Sequence, residues 1–169
     1  MASALKVAPT DSGCSIRVEG KGTMNESRIA ADVAARTLAS AENTTVVFDL
    51  TDCEYLDSTF LGNLLDLNRN YGRSNPPRCL VAASAERRQQ LLHAVRIDKL
   101  IPAIDSPPTV RGDWVVLDTA SHDRFDMMRH IMTAHRTLAQ VESPMQGTFA
   151  KIAEQIDKDL KKRESGIKS

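Results

Sequence analysis

The stretch Val46-Val47-Phe48-Asp49-Leu50-Thr51-Asp52-Cys53-Glu54-Tyr55-Leu56-Asp57-Ser58-Thr59-Phe60-Leu61-Gly62 decides how the chain is read. Val46, Val47 and Phe48 are consecutive apolar residues, the pattern of a strand covered on both faces rather than one that alternates between core and water. Thr51 to Leu56 reads as a connecting loop. From about Asp57 the period changes: Phe60, Leu61, Leu64, Leu65 and Leu67 give a broad apolar helical face that runs to Tyr71 and stops at Gly72. Asp57 and Ser58 stand where that helix begins. Their short side-chain oxygens suit the orphan backbone N–H groups of a first turn.

Working outward, Leu5 to Ala8 predicts a short strand, Pro9 to Gly13 a turn, and Cys14 to Glu19 an alternating strand with Ile16 and Val18 on one face. A helix is expected from Asn25 or Glu26 to Ala41, carried by Ile29, Val33 and Leu38. Its preceding loop, Gly22-Thr23-Met24-Asn25, reads as an ordinary turn capped by Asn25. Downstream, Cys79 to Ala82 repeats the buried-strand pattern, and Ser84 caps a third helix ending near Val95, with Glu86 in its first turn. Leu100 to Ile104 is the last strand, placed at an edge because Pro102 has no N–H for a ladder. Strands alternating with helices imply an α/β domain with a largely parallel central sheet over residues 1–106.

Composition changes at Asp105-Ser106-Pro107-Pro108, and residues 107–120 read as a linker containing the short apolar segment Trp114 to Leu117. Residues 121–164 read as an αα-hairpin. Phe125, Met128, Ile131 and Leu138 mark one helix, Phe149, Ile152, Ile156 and Leu160 the other, and Ser143-Pro144 the turn between them. His130 and His135 are five apart, off the spacing that shares a helix face, and are read as exposed or interhelical polar groups.

Bulk properties narrow the function. The chain has 169 residues, 41% of them apolar and 26% charged, with 22 basic and 22 acidic side chains. A balanced charge and 4% aromatics argue against phosphate-backbone binding and base stacking. No apolar run reaches the roughly 20 residues of a bilayer span, and the first residues lack the basic flank and apolar core of a leader. Cys14, Cys53 and Cys79, an odd count outside any Cys-x-x-Cys spacing, predict free thiols in a reducing cytoplasm. Ligand spacing for a metal is missing, so neither metal nor cofactor is expected. Gly-Lys-Gly-Thr at 20–23 does not continue into a phosphate-cradling loop, which disfavours a nucleotide hydrolase. Asp49 at its strand end is read as hydrogen-bonded to the following loop rather than as a Mg²⁺ ligand.

The central stretch resembles the STAS domain of bacterial anti-sigma factor antagonists. That pattern is an apolar strand ending in Asp, then an apolar residue, Asp-Ser, a few positions, Gly and an apolar helix. It falls here on Asp49, Leu56, Asp57, Ser58, Gly62 and the helix through Leu64-Leu65-Asp66-Leu67. Many members carry a glycine where Phe60 stands, a departure that leaves Ser58 in register. The resemblance implies a STAS-like central sheet and a non-enzymatic regulator. Its unphosphorylated form would bind an anti-sigma factor serine kinase and so free a sigma factor. Phosphorylation at Ser58 would end the binding, and a serine phosphatase would restore it. The implied partner surface comprises Asp57, Ser58, Thr59, Leu61 and the loop Gly22, Thr23, Met24 and Asn25. A helix start suits the added charge of about −1.5 to −2, with about 0.3–1 kcal/mol of favourable dipole interaction.

Two alternatives stay open. Asp57 and Ser58 could serve as plain caps, with Thr59 the competing phosphoacceptor. The domain could instead be a sensing or scaffolding module that binds a small ligand or a subunit of a larger assembly. The tail, with His135-Arg136-Thr137-Leu138 and Phe149, resembles helical extensions on some STAS proteins. It could dock on the sheet, bind a partner or build a homodimer.

Overall fold

The structure, a computed structural model, describes residues 2–71, 73–120 and 123–167. The expected helix stop at Gly72, the hairpin start at 121 and His122 lie outside the described residues.

Strands β1 (Ala4–Pro9) and β2 (Gly13–Gly22) form the expected antiparallel hairpin, with Leu5 opposite Val18 and Val7 opposite Ile16. Helix α1 (Met24–Ser40) crosses to β3 (Thr45–Asp49), which lies parallel to β2 with Ile16 beside Phe48. After β4 (Cys53–Leu56), helix α2 (Ser58–Tyr71) crosses to β5 (Cys79–Ala82), parallel to β3. Helix α3 (Ala85–Leu92), capped by Ser84 and continued by a 3₁₀ turn to Val95, leads to β6 (Ala103–Ile104). Strand β7 (Val115–Val116) then returns to pair antiparallel with β1. The sheet order is β6-β5-β3-β2-β1-β7, with β4 joined to the far end of β2.

The central strands are the ones their composition marked. Val46, Phe48 and Val81 are completely covered, and Val47 nearly so. Helix α1 packs against β2 and β3, α2 against β5, and the two helices against each other, so one face of the sheet carries both. Burial of Phe60, Leu64 and Leu65 from α2 contributes about 1.5–3 kcal/mol per side chain. On the other face Arg17 bridges Asp49 at 3.1 Å and carries Trp114 against its guanidinium at 4.1 Å. Asp49 also accepts the Thr51 N–H at 3.1 Å, the expected bond to the following loop.

The structure departs from the sequence reading in four places. Residues 53–56 are a strand, not a loop. Only Cys53 and Leu56 are buried there, so the segment lacks a strand period, and its pairing comes from the end of β2. The final strand is confined to Ala103–Ile104, at the edge as Pro102 requires, while Leu100 stays exposed. Trp114 to Leu117 supplies the opposite edge through β7, and Arg111 binds Asp11 through two nitrogens at 2.5 and 2.7 Å. Strand β2 runs on past Glu19 to Gly22, held by its pairing with β4, and α1 begins at Met24 rather than Asn25, so of the expected loop 22–25 only Thr23 lies outside an element.

The tail forms α4 (Arg124–Leu138) and α5 (Gln146–Ile167), packed on each other, and α4 lies along helix α2 rather than on the sheet, whose helix-bearing face α1 and α2 already cover. Its buried side chains include Met127, Ala134, His135, Thr137, Leu138, Val141, Phe149, Ala153 and Leu160. Phe125, Met128 and Ile131 on α4 and Ile152 and Ile156 on α5 are half-buried; α5 packs mainly on α4, which leaves the flanks of its apolar stripe partly open.

Candidate functional site

Asp57 ends β4 and opens α2. Its backbone N–H donates to the Gly22 carbonyl at 2.9 Å. Its Oδ1 accepts the Phe60 N–H at 2.9 Å, which makes it the cap of α2, and its Oδ2 accepts the Met24 N–H at 2.8 Å. One carboxylate therefore holds the first turn of α2 and the first residue of α1. Burial pushes the Asp57 carboxyl above the ordinary carboxylate range, and the two backbone donors oppose that rise only in part.

Helix α1 is capped by Thr23, not by Asn25. Thr23 is extended, at φ −109° and ψ −176°, whereas Asn25 already lies inside the helix. The Glu26 carboxylate accepts the Thr23 N–H at 2.9 Å and completes a capping box. The two helix starts thus meet at Asp57, and both dipoles present their positive ends there. Gly22 makes this junction possible: a Cβ on it would come within 2.6 Å of Leu56 Cδ2 and 3.0 Å of Phe60 Cδ2. Phe60, in the position where the resemblance would put glycine, is wholly buried and meets Phe48 edge-on at 6.2 Å.

Ser58 is the first residue of α2 and is half-buried. Its Oγ lies 2.9 Å from His135 Nε2, across 77 positions of sequence. The other ring nitrogen, Nδ1, is 2.7 Å from the Ile131 carbonyl. A carbonyl only accepts, so Nδ1 carries the proton, and in the neutral ring Nε2 accepts from the Ser58 hydroxyl. His135 is 4% exposed and packs edge-to-face on Phe149 at 5.6 Å. A backbone carbonyl rather than a carboxylate orients the ring and Phe149 fills its flank, so the pair works as an interhelical fastening. His130 makes a second fastening: its Nε2 is 2.8 Å from Ser27 Oγ on α1. The two histidines point to different helices, which is how residues five apart both reach inward.

The residues expected to form a partner surface are brought into one neighbourhood but unequally exposed. Met24 (40% exposed) and Asn25 are open, and Tyr55 (51%) adds a further exposed ring nearby in sequence. Thr23, Asp57 and Ser58 are half-buried. Gly22, Thr59 and Leu61 are buried, Thr59 to 4% and Leu61 within the core cluster. His135 is not legible as a site residue in the sequence, because a lone histidine on an amphipathic helix gives no sign of which helix it will face. All three cysteines are free and buried, with burial raising the Cys53 thiol to about 11 and the Cys79 thiol to about 12. These two thiols are protonated and unreactive near neutrality.

A mixed sheet faced by helices, with Asp-Ser opening α2, agrees with the STAS-like α/β class that the sequence resemblance implies. A solved structure to which the chain is similar is an anti-sigma factor antagonist from Mycobacterium paratuberculosis. The two share 21% identity, over 62% of this chain and 87% of that one, at a TM-score of 0.48. No family model matches the sequence, and no curated protein does. Among the described residues no helix is long and apolar enough to cross a membrane.

Proposed function

We propose that the protein is an anti-sigma factor antagonist switched by phosphorylation at Ser58. The unphosphorylated form binds an anti-sigma factor serine kinase in the cytoplasm and releases a sigma factor. Phosphorylation ends that binding, and a serine phosphatase restores it. The protein itself carries out no catalysis. The observation that supports this reading is the junction at Asp57, where two helix N-termini meet beside the Ser58 hydroxyl. A phosphate there is electrostatically tolerated by the domain, while a partner docked on the same face meets new bulk and charge.

The test is mass-spectrometric mapping after incubation with kinase-type anti-sigma factors of the same organism and ATP, alongside titration of the same kinases. Phosphate is expected on Ser58, none on the Ser58→Ala chain, and retained binding by that variant. Wild-type affinity of stoichiometrically Ser58-phosphorylated protein refutes the mechanism.

A second reading, a sensing or scaffolding module with Ser58 unmodified, is favoured by a cleft of about 390 Å³ between α1, α2 and α4. Arg28, Asp32, Asp66, Arg129 and His130 line it. Absence of phosphate on Ser58 with every candidate kinase, together with small-ligand protection of α4 from hydrogen exchange, selects this reading.

A further inference from the structure

We propose that the α4–α5 hairpin is a displaceable cover that gates Ser58 and the α2 face around it. This rests on the reading of Ser58 as the switched residue, and it adds a layer of control: the closed chain withholds the hydroxyl that a kinase would need.

The geometry carries the argument. Ser58, Gly62 and Asp66 lie one turn apart along α2, and each meets α4. Ser58 Oγ is held at 2.9 Å by His135, and Asp66 Oδ1 lies 3.5 Å from Thr137 Oγ1. Between them Gly62 lies so close to α4 that a Cβ would sit 2.2 Å from the Ala134 carbonyl oxygen. Transfer to Ser58 needs its oxygen in line with the terminal phosphorus of ATP and its proton free to leave. An oxygen turned toward a buried imidazole inside a helix–helix contact does not offer the first.

The contact is lined in part by polar groups, beside apolar ones that belong to the same core cluster as α2. Its α2 side presents Ser58, Gly62 and Asp66, and its α4 side His135 and Thr137. Arg69 adds a bond to Gln140 at 2.5 Å beyond the helix end, and His130 reaches Ser27 on α1. Polar groups of this kind regain water when the helices part, unlike the side chains between α2 and the sheet. Leu138 and Phe149 supply the apolar anchoring that keeps the cover shut at rest. Apparent affinity for a partner falls by the fraction of molecules that are open, so a cover open in about one molecule in a hundred weakens binding about 100-fold.

The experiment uses the full chain with Ser58→Cys as a reporter, since the native cysteines are buried. Alkylation of the introduced thiol is timed in that chain and in the same chain carrying Gly62→Ala. Alanine favours the α2 helix but drives its methyl into the α4 backbone. Phe149→Ala provides a second opening variant that leaves α2 untouched. Hydrogen exchange of β3 and β5 confirms that the sheet is intact in each.

Labelling at least about tenfold faster in both opened chains is expected. Kinase binding and Ser58 phosphorylation should rise by a similar factor in the Gly62→Ala and Phe149→Ala chains that retain Ser58. Equal labelling rates with and without the opening substitutions overturn the cover, whatever any kinase does. Faster labelling with unchanged phosphorylation overturns it as a gate on modification. Faster labelling with no phosphorylation of any chain leaves the cover standing and removes the kinase reading instead.

Discussion

Replacing Asp57 by alanine removes one carboxylate that serves two helices. The Phe60 N–H, now at 2.9 Å from Oδ1, and the Met24 N–H, at 2.8 Å from Oδ2, both lose their acceptor. Loss of a helix cap alone costs about 0.5–2 kcal/mol. The Met24 bond adds about 1 kcal/mol, and relief of the carboxylate's own burial returns part of the sum. The expected cost of Asp57→Ala is therefore about 2 kcal/mol, a drop in Tm of about 4–8 °C for a chain of this size. Asp57→Asn keeps one acceptor oxygen and turns its NH₂ toward the other donor, so it should cost about half as much. Urea titration followed by a probe in the sheet measures both variants. A loss below about 0.5 kcal/mol for Asp57→Ala, or equal losses for the two variants, would refute the idea that this carboxylate clasps both helices.

Three further outcomes are expected. Ser58→Asp should weaken kinase binding in a titration, because charge enters a surface the interface must dry, while Thr59→Ala should leave phosphorylation intact, its hydroxyl belonging to a residue that is 4% exposed. Arg17→Ala should cost about 3 kcal/mol by denaturant unfolding, because it strands the carboxylate of Asp49, which is 0% exposed; adding Asp49→Asn should recover more than half, and a loss under about 1 kcal/mol would contradict the role of the pair. Burial raises the Asp66 carboxyl above the ordinary carboxylate range, so the charged form costs the folded state at neutral pH and the cost disappears as pH falls through the raised value. Asp66→Asn, which keeps an oxygen for Thr137, should then be the more stable protein at neutral pH. That advantage should shrink to nothing in urea titrations repeated toward about pH 4, where carboxylates ordinarily protonate, and a constant advantage would show that burial of the charge is not its source.

Much of this molecule is legible in local pattern. The runs at 46–48 and 79–82 announce strands covered on both faces, since only such strands are apolar at every position. The α2 face and the carboxylate at its start follow from helical period and cap chemistry, both of which act within a few residues. Strand β4 is hidden in the sequence because its two exposed central residues break any period and its partner, the end of β2, is supplied by the fold. The cap of α1 is ambiguous over two residues because Thr23 and Asn25 are both competent caps. The Glu26 three positions after Thr23 is the signal that separates them.

Pattern along the chain is enough for the α/β order, the buried strands, the Asp-Ser start of α2 and the presence of two amphipathic helices in the tail. Each is a property of near neighbours, set by period and capping. Where that tail lies is settled by the fold alone. An apolar stripe states that a helix must be covered, not by what, and many surfaces satisfy it equally well. The choice of α2 is made by contacts between residues remote in sequence: the glycine at 62 that admits the α4 backbone, and the hydroxyl of Ser58 that finds His135 at 2.9 Å. Those contacts make a serine at a helix start half-buried and tie its hydroxyl to a histidine 77 positions away.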